Sequence, residues 1–292
     1  MDKIFEIFAP ENPLPLIFDS PHSGTIHPDD FGYACTEDDL ERTEDKFVDD
    51  LFESAPDHGA TLLIAKVSRS YIDLNRAPDD VDPMLIEGEW PFGEIKPTPR
   101  SAAGIGLLRR LIKPGVPVYD RKLSPEEVME RVKKYYIPYH KTLAELMNEA
   151  HYNYGQVWHV NCHSMPSTSA RTKRAIGFVG NEPQTPDFVI GNRDGTTAGP
   201  DFTRAVKEHL EDLGYAVALN DPFKGVELVE RYSMPTAGRH SIQLEINKAL
   251  FMDEATNKKD TKKYKGFKAD IETLIKFCAD YARSNLRELA AD

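Results

Sequence analysis

Two histidines, each followed by a serine, come at the end of a mainly apolar run of the sequence. Residues 16–18 lead through Asp-Ser-Pro into His22, and residues 157–160 lead through Asn-Cys into His163. Short apolar runs that are stopped by Pro or Gly predict buried strands. In open α/β sheets, ligands bind beyond the carboxyl ends of the strands. One such histidine is more often a turn residue, but two at equivalent places in one sheet favour a ligand site.

A carboxylate stands inside a third strand-like segment. Residues 239–247 alternate apolar and polar side chains, which predicts a strand that carries Glu245 near its end. A largely apolar setting would raise the pKa of this carboxyl group by desolvation, and a raised pKa suits a general acid or base. The alternative is a charge that is paired on an edge strand.

A second carboxylate follows the His22 segment. Residues 43–55 place apolar side chains at helical spacing, so we expect a helix with Thr43 as its N-cap and Asp45 in its first turn. Asp45 would then complement the helix dipole, or it would present a carboxylate near the carboxyl edge of the sheet. The spacing alone favours the dipole role.

Cationic side chains interrupt two other segments. Residues 68–76 read Ser-Arg-Ser-Tyr-Ile-Asp-Leu-Asn-Arg, so Arg69, Asn75 and Arg76 stand among apolar residues. A structural salt bridge to Asp73 is one explanation, and a guanidinium fork for a carboxylate ligand is the other. Arg193 lies in a Gly-rich loop before a predicted helix, where it would hold an anion or belong to a plain turn.

The elements that must position these residues alternate between strands and helices, which predicts βαβ units and a mostly parallel sheet. The remaining predicted elements are a strand at residues 60–67, a long loop at 78–104, a helix that is capped by Ser124 and kinked by Pro138, strands at 174–180 and 215–219, and helices at 202–213 and 260–285.

Composition limits the classes of function. The 292 residues are 40% hydrophobic and 29% charged, which is typical of a globular protein. A net charge of −12 argues against general binding to nucleic acid or to anionic membranes. No signal peptide or membrane span is predicted, and three widely spaced cysteines suit a reducing compartment. We therefore expect one domain over residues 1–292 in the cytoplasm.

Four motifs together resemble one family, the N-formylglutamate amidohydrolases. They are Ser-Pro-His-Ser-Gly at 20–24, the 68–76 segment, Cys-His-Ser-Met-Pro at 162–166 and Gln-Leu-Glu-Ile-Asn at 243–247. The resemblance runs in order from residue 14 to residue 255. It implies a three-layer α/β/α fold with a mostly parallel mixed sheet, similar to that of zinc carboxypeptidases, and one zinc ion per chain.

The resemblance also implies roles for individual residues. His22, Asp45 and His163 match the metal ligands, with Glu44 as the competitor of Asp45, and Glu245 matches the general base. Arg69 is the candidate for polarising the scissile carbonyl, and Asn75 and Arg76 resemble a pair that grips a substrate carboxylate. Candidates for binding a second substrate carboxylate are Arg109, Arg193 and Arg239.

The implied activity is zinc-dependent hydrolysis of N-formyl-L-glutamate to formate and L-glutamate, as a step of histidine degradation. One alternative keeps the mechanism but acts on another N-acyl amino acid or on a cell-wall amide. Another is a binding protein that retains the fold without catalysis. In the first case the expected partner is a small anionic substrate.

Overall fold

The computed structural model describes residues 4–173, 176–179 and 182–289. Its strands are β1 (Phe5–Phe8), β2 (Leu16–Ser20), β3 (Thr61–Ala65), β4 (Leu111–Lys113), β5 (Val116–Pro117), β6 (Val157–Met165), β7 (Phe178–Val179), β8 (Glu182–Pro183), β9 (Phe188–Gly191), β10 (Val217–Leu219), β11 (Arg239–Asn247), β12 (Met252–Asp253) and β13 (Lys258–Lys259). Its α-helices are α1 (Glu37–Glu41), α2 (Val48–Leu51), α3 (Pro99–Ala102), α4 (Pro125–Arg131), α5 (Ile137–Tyr154), α6 (Pro200–Asp212), α7 (Glu227–Tyr232) and α8 (Tyr264–Leu289).

A seven-stranded mixed sheet has the order β1-β3-β2-β6-β11-β9-β10. β6 pairs in parallel with β2 and with β11, and β9 pairs in parallel with β10, whereas β9 runs antiparallel to β11. Helices pack on this sheet, with α8 against β2 and α7 against β6 and β11. The predicted α/β fold with a mostly parallel mixed sheet is confirmed.

Strand β6 is buried along its whole length, and its side chains alternate in character. Its odd-numbered residues His159, Asn161 and His163 share one face, because successive side chains of a strand point to opposite faces. Buried polar groups need hydrogen-bond partners. This face therefore requires polar neighbours on β2 and β11.

The chain forms two compact units. The larger comprises Ile7–Ser20, Phe47–Leu63 and Ala144–Asp292. Aromatic side chains pack its core, where the Trp158 ring lies edge-on to Tyr281 and Phe188 stacks on Phe267.

The other unit comprises Met1–Glu6, Pro21–Lys46 and Ile64–Leu143. Its core contains a buried guanidinium, that of Arg131, 4.0 Å above the Tyr71 ring. Arg131 also donates to the Tyr119 hydroxyl at 2.7 Å and forms an ion pair with Glu127. A desolvated cation–π contact contributes about 2 kcal/mol. The single domain that we expect over residues 1–292 stays a prediction.

The predicted helix over residues 43–55 is wrong. Only Val48–Leu51 is helical, and Phe47 precedes it with a φ of 68°. Thr43 is not an N-cap, because its hydroxyl donates to the carbonyl of Leu40 at the end of α1. The amide of Asp45 donates to the carbonyl of His22 at 3.0 Å, which holds Asp45 outside any helix.

The long helix after Ser124 begins as predicted, since the Ser124 hydroxyl accepts from the amide of Glu127 at 3.1 Å. The region before Pro138 is a π-helical segment, Val132–Tyr136. Proline has no N–H to give to the carbonyl four residues earlier, and a π-helical turn accommodates that loss. The predicted strand at 174–180 is described only at β7, because residues 174, 175 and 180 lie outside the described residues.

The predicted strands at 16–18, 60–67, 215–219 and 239–247 and the helices at 202–213 and 260–285 are confirmed, with small shifts at their ends. Within the described ranges, no helix combines the length and the apolar character that crossing a membrane requires.

Candidate metal centre and active site

His22 follows β2 on a loop that is packed tightly against the chain after β3. A Cβ atom at Gly24 would lie 2.4 Å from the carbonyl oxygen of Val67, so only glycine permits this approach. The loop is further held by a hydrogen bond from the amide of Ile26 to the carbonyl of Lys66 at 2.9 Å. His22 itself is 2% exposed. The ring is therefore fixed in a buried position just past a strand end.

Asp73 orients the His22 ring. The Nε2 atom of His22 lies 2.7 Å from Asp73 Oδ1. A carboxylate only accepts hydrogen bonds, so Nε2 carries the hydrogen and Nδ1 keeps the lone pair. Burial alone would raise the pKa of Asp73, but His22 and Arg69 beside it hold that pKa well below its usual range. The fixed tautomer leaves Nδ1 of His22 available as a candidate metal ligand.

Asp45 lies on the Nδ1 side of the same ring. Its Oδ2 atom is 3.4 Å from His22 Nδ1, and its Oδ1 atom accepts from Arg69 at 3.3 Å. The neighbouring Glu44 points elsewhere, since its Oε1 accepts from the Ser68 hydroxyl at 3.2 Å and lies 3.4 Å from His27 Nε2. Burial raises the pKa of Glu44, because it disfavours the charged form of the carboxyl group.

His163 is oriented by its own strand. Its Nε2 lies 2.7 Å from Asn161 Oδ1, and the Asn161 amide nitrogen donates to Asp19 Oδ1 at 2.8 Å. Asp19 also binds His159 Nε2 at 2.7 Å. Because Asp19 fixes which end of the Asn161 amide faces His163, the His163 Nε2 atom must donate and Nδ1 keeps the lone pair.

His22, Asp45 and His163 offer three ligand atoms that lie within 4.8 Å of one another, and all three residues are buried. Two imidazole nitrogens and one carboxylate oxygen are a common donor set for a catalytic divalent metal. This group can hold a metal ion.

Glu245 stands beside His163 on the next strand. The register of β11 and β6 pairs Glu245 with His163 and Gln243 with Asn161. Paired residues of parallel strands share a face, so the Glu245 carboxyl group and the His163 ring are neighbours. Gln243 donates to Glu245 Oε1 at 2.8 Å, and Glu245 is 7% exposed. A carboxylate is thus held next to a candidate metal ligand.

Comparison with known proteins assigns most of the sequence to one family. The profile of the N-formylglutamate amidohydrolase family matches residues 14–252. The chain belongs to the N-formylglutamate amidohydrolase family. An N-formylglutamate deformylase of Pseudomonas aeruginosa is 30% identical over 251 residues, which are 82% of this chain and 83% of that protein. A deformylase of the same name from Pseudomonas putida is 28% identical over 87% of each chain.

A crystal structure of an N-formylglutamate amidohydrolase from Ralstonia eutropha has the same fold. It superposes with a TM-score of 0.90 at 40% sequence identity, over 96% of this chain and 99% of that one. A member of the N-formylglutamate amidohydrolase family is therefore similar to this chain from end to end.

The motif at residues 68–76, through which the sequence resembles this amidohydrolase family, carries three of the expected site residues. Arg69 donates to Asp45 at 3.3 Å and to Asp73 at 2.9 Å. The amide of Asn75 donates to Asp73 Oδ1 at 3.0 Å, and Arg76 is 8% exposed. Asp73 thus connects the His22 ring to the segment that carries both arginines.

Arg193 and Arg239 are not brought to this group of residues. Arg239 begins β11 and lies roughly 20 Å along the strand from Glu245, at about 3.3 Å per residue. Its guanidinium donates to Asn148 at 2.7 Å. Arg193 follows β9, which ends opposite Gln243 and runs towards the amino half of β11, and it is paired with Glu230 at 2.8 Å.

Two residues that orient the histidines of the candidate metal centre were missed in the sequence analysis. Asp73 appeared in it only as a partner of Arg69, and no sequence signal connects it with His22. Asn161 has such a signal, because it stands two residues before His163 in a strand and therefore shares its face.

Proposed function

We propose that this chain hydrolyses the formyl amide of N-formyl-L-glutamate, with one bound zinc ion, to give formate and L-glutamate. The observation that carries the proposal is the buried group of His22, Asp45 and His163, with Glu245 paired to His163 in the sheet. Membership of the N-formylglutamate amidohydrolase family over residues 14–252 supports the choice of substrate.

The donor set fits zinc. His22 and His163 would each bind through Nδ1, because their Nε2 atoms are engaged by Asp73 and Asn161. Asp45 would supply the carboxylate oxygen. Zinc takes such ligands in catalytic sites and leaves a coordination position open. When bound, the ion would supply Lewis acidity to the scissile carbonyl and would acidify the attacking water.

The protein's own residues would carry the proton and the charge. Glu245 would accept the proton of the attacking water and deliver it to the departing nitrogen, a role in which general acid–base catalysis contributes about 10²–10⁴-fold. Arg69 would stabilise the charge that develops on the carbonyl oxygen. Asn75 and Arg76 would bind a carboxylate of the substrate, since a guanidinium matches the geometry of that group.

We also propose a cytoplasmic place for the reaction, as a step of histidine degradation.

With a net charge of −12, the chain as a whole repels anions, so a small dianionic substrate needs the local arginines to bind.

Metal content and turnover can be separated with three variants. Glu245→Gln keeps the three ligands, so we expect it to retain one zinc per chain and to lose about 10³-fold in kcat for N-formyl-L-glutamate. Asp45→Asn is expected to lose the metal together with activity, because its carboxylate oxygen is one of the three donors. Metal analysis and formate release measure the two properties.

Glu44→Gln is the matched control. It removes the adjacent buried carboxyl group, which lies outside the three-residue group, and should keep both the metal and turnover. If the zinc-loaded wild-type protein does not release formate from N-formyl-L-glutamate, the proposal is wrong. Loss of the metal in Glu44→Gln but not in Asp45→Asn would contradict the ligand assignment.

A further inference from the structure

Three arginines of the unit that contains His22 lie close enough to act electrostatically on one another. They are Arg69, Arg76 and Arg109. Asp45 and Asp73 are the carboxylates that act on this cluster most directly, and both accept hydrogen bonds from Arg69. Buried charges ordinarily have an opposite charge beside them. Arg76 is buried and Arg109 is half-buried, and Asp73 acts on both guanidiniums without a direct ion pair. Their positive charges therefore lack a carboxylate in direct contact.

The other nearby carboxylates are already engaged. Asp80 accepts from the amide and the hydroxyl of Thr98 at 2.8 and 3.1 Å. Asp82 accepts from Arg110 Nε at 2.6 Å. Among the residues that the structure describes, no carboxylate lies within salt-bridge distance of Arg76 or Arg109, and the Nε atom of each is buried without a hydrogen-bond partner. The guanidiniums of Arg76 and Arg109 thus have no ion-pair partner among the described residues.

The backbone that carries Arg109 is fixed in place. A Cβ atom at Gly106 would lie 2.7 Å from the carbonyl oxygen of Asp80, so the segment is packed against the loop that carries Asp80. The amide of Leu107 donates to that same carbonyl at 2.9 Å, and the carbonyl of Leu107 accepts from the amide of Asp73 at 2.8 Å. Arg109 is therefore tied through two residues to Asp73, which orients His22.

The repulsion within the cluster affects the pKa of Arg109. Burial and the positive charge of Arg69 lower the pKa of Arg109 to about 9. Burial likewise lowers the pKa of Arg76. A guanidinium keeps its charge at neutral pH in proteins, so both groups remain cationic. An incoming anion would relieve this repulsion.

We propose that Arg109 binds the side-chain carboxylate of the substrate while Arg76 binds its α-carboxylate, so that the pair selects dicarboxylates. This inference rests on the proposed function and deepens it. Two guanidiniums that lack a directly contacting carboxylate match two carboxylates of a ligand, and a site built to hydrogen-bond a polar group strongly rejects an analogue that leaves the site unpaired.

The test compares N-formyl-L-glutamate with N-formyl-L-glutamine, which lacks the second charge. We expect the wild-type protein to prefer the glutamate substrate by at least about 100-fold in kcat/KM. Arg109→Met should lower kcat/KM for N-formyl-L-glutamate by about 100-fold and change that for N-formyl-L-glutamine by less than about threefold. An equal loss on both substrates would overturn the proposal, because it would indicate a structural role.

Arg110→Met is the matched control, since the Arg110 guanidinium is already paired with Asp82. It should keep the wild-type preference between the two substrates. Arg109→Gln is a second neutral variant for use if Arg109→Met does not fold by circular dichroism, and it should lose the preference in the same way.

Calorimetric titration with glutarate and butyrate separates this proposal from the proposed function. We expect Arg109→Met to bind glutarate at least about tenfold more weakly than the wild type and to bind butyrate equally well. If the wild type hydrolyses neither formyl substrate, the proposed function fails, while the glutarate result still decides the role of Arg109. Unchanged glutarate affinity in Arg109→Met contradicts that role.

Discussion

The two histidines of the candidate metal centre are held in different ways. His22 lies on a loop after β2, and a charged carboxylate, Asp73, bonds its Nε2 atom at 2.7 Å. His163 lies within β6, and a neutral amide, Asn161, bonds its Nε2 atom at the same distance. Each arrangement leaves Nδ1 as the ligand atom. The difference lies in how much of the orientation comes from the backbone.

Strand pairing orients the side chain of His163, whereas Asp73 must orient the side chain of His22. The ladder of β6 with β2 and β11 fixes the direction of the His163 side chain, so a neutral partner is enough to select the tautomer. The His22 loop lies outside that ladder, and Asp73 is itself held by Arg69 and by the amide of Asn75. A loop residue therefore depends on a charged and heavily bonded partner.

The largest effect is expected at Asp73. Asp73→Asn removes the charge that favours the His22 tautomer and also one of the two carboxylates that hold Arg69. Partners of this kind typically change metal affinity 10–100-fold, and we expect a loss of about 100-fold here. Competition with a chromophoric chelator measures the zinc affinity.

Asp79→Asn is the control for charge, because it removes a carboxylate from the same part of the chain. Asp79 is paired with Lys96 at 3.4 Å, and Lys96 is 66% exposed. Exposed pairs contribute little, so zinc affinity should stay within about twofold of the wild type. An equal loss in both variants would mean that net charge, and not the bond to His22, sets the affinity.

A smaller effect is expected at Asn161. Asn161→Ala removes the acceptor of His163 Nε2, but the register of β6 still directs the ring. We expect a loss of zinc affinity of about tenfold, measured by the same competition. A loss as large as that of Asp73→Asn would contradict the distinction between loop and strand.

The smallest effect on the metal is expected at Asp19, which acts through Asn161. Asp19→Asn leaves the His163 bond intact but removes the charge that fixes the Asn161 amide, so zinc affinity should fall less than tenfold, by about threefold. In the double variant with Asn161→Ala the two losses should not add, since coupled residues are non-additive. Additive losses would show that Asp19 acts by another route.

Strand patterns carried most of the successful predictions. The alternation in residues 239–247 and the apolar run before His163 predicted β11 and β6, and they placed Glu245 and His163 near the ends of their strands. The pairing of the two residues depends on which strands become neighbours, a property of the folded sheet that local patterns do not encode.

Failures occurred where tertiary contacts decide the local structure. The helical spacing at residues 43–55 is overridden at its start, where the amide of Asp45 donates to the carbonyl of His22, and only Val48–Leu51 forms an α-helix. The binding role of Arg193 stays a prediction, and the antiparallel direction of β9 takes its loop to the amino half of β11. The separation of Arg239 from Glu245 could be predicted from the sequence, since Arg239 begins the strand that carries Glu245 near its end.

The most direct test of the account is a crystal structure of the zinc-loaded protein with anomalous scattering at the zinc edge. We expect one ion per chain, bound by Nδ1 of His22, a carboxylate oxygen of Asp45 and Nδ1 of His163. An ion bound through the Nε2 atom of either histidine, or by Glu44 in place of Asp45, would contradict the account.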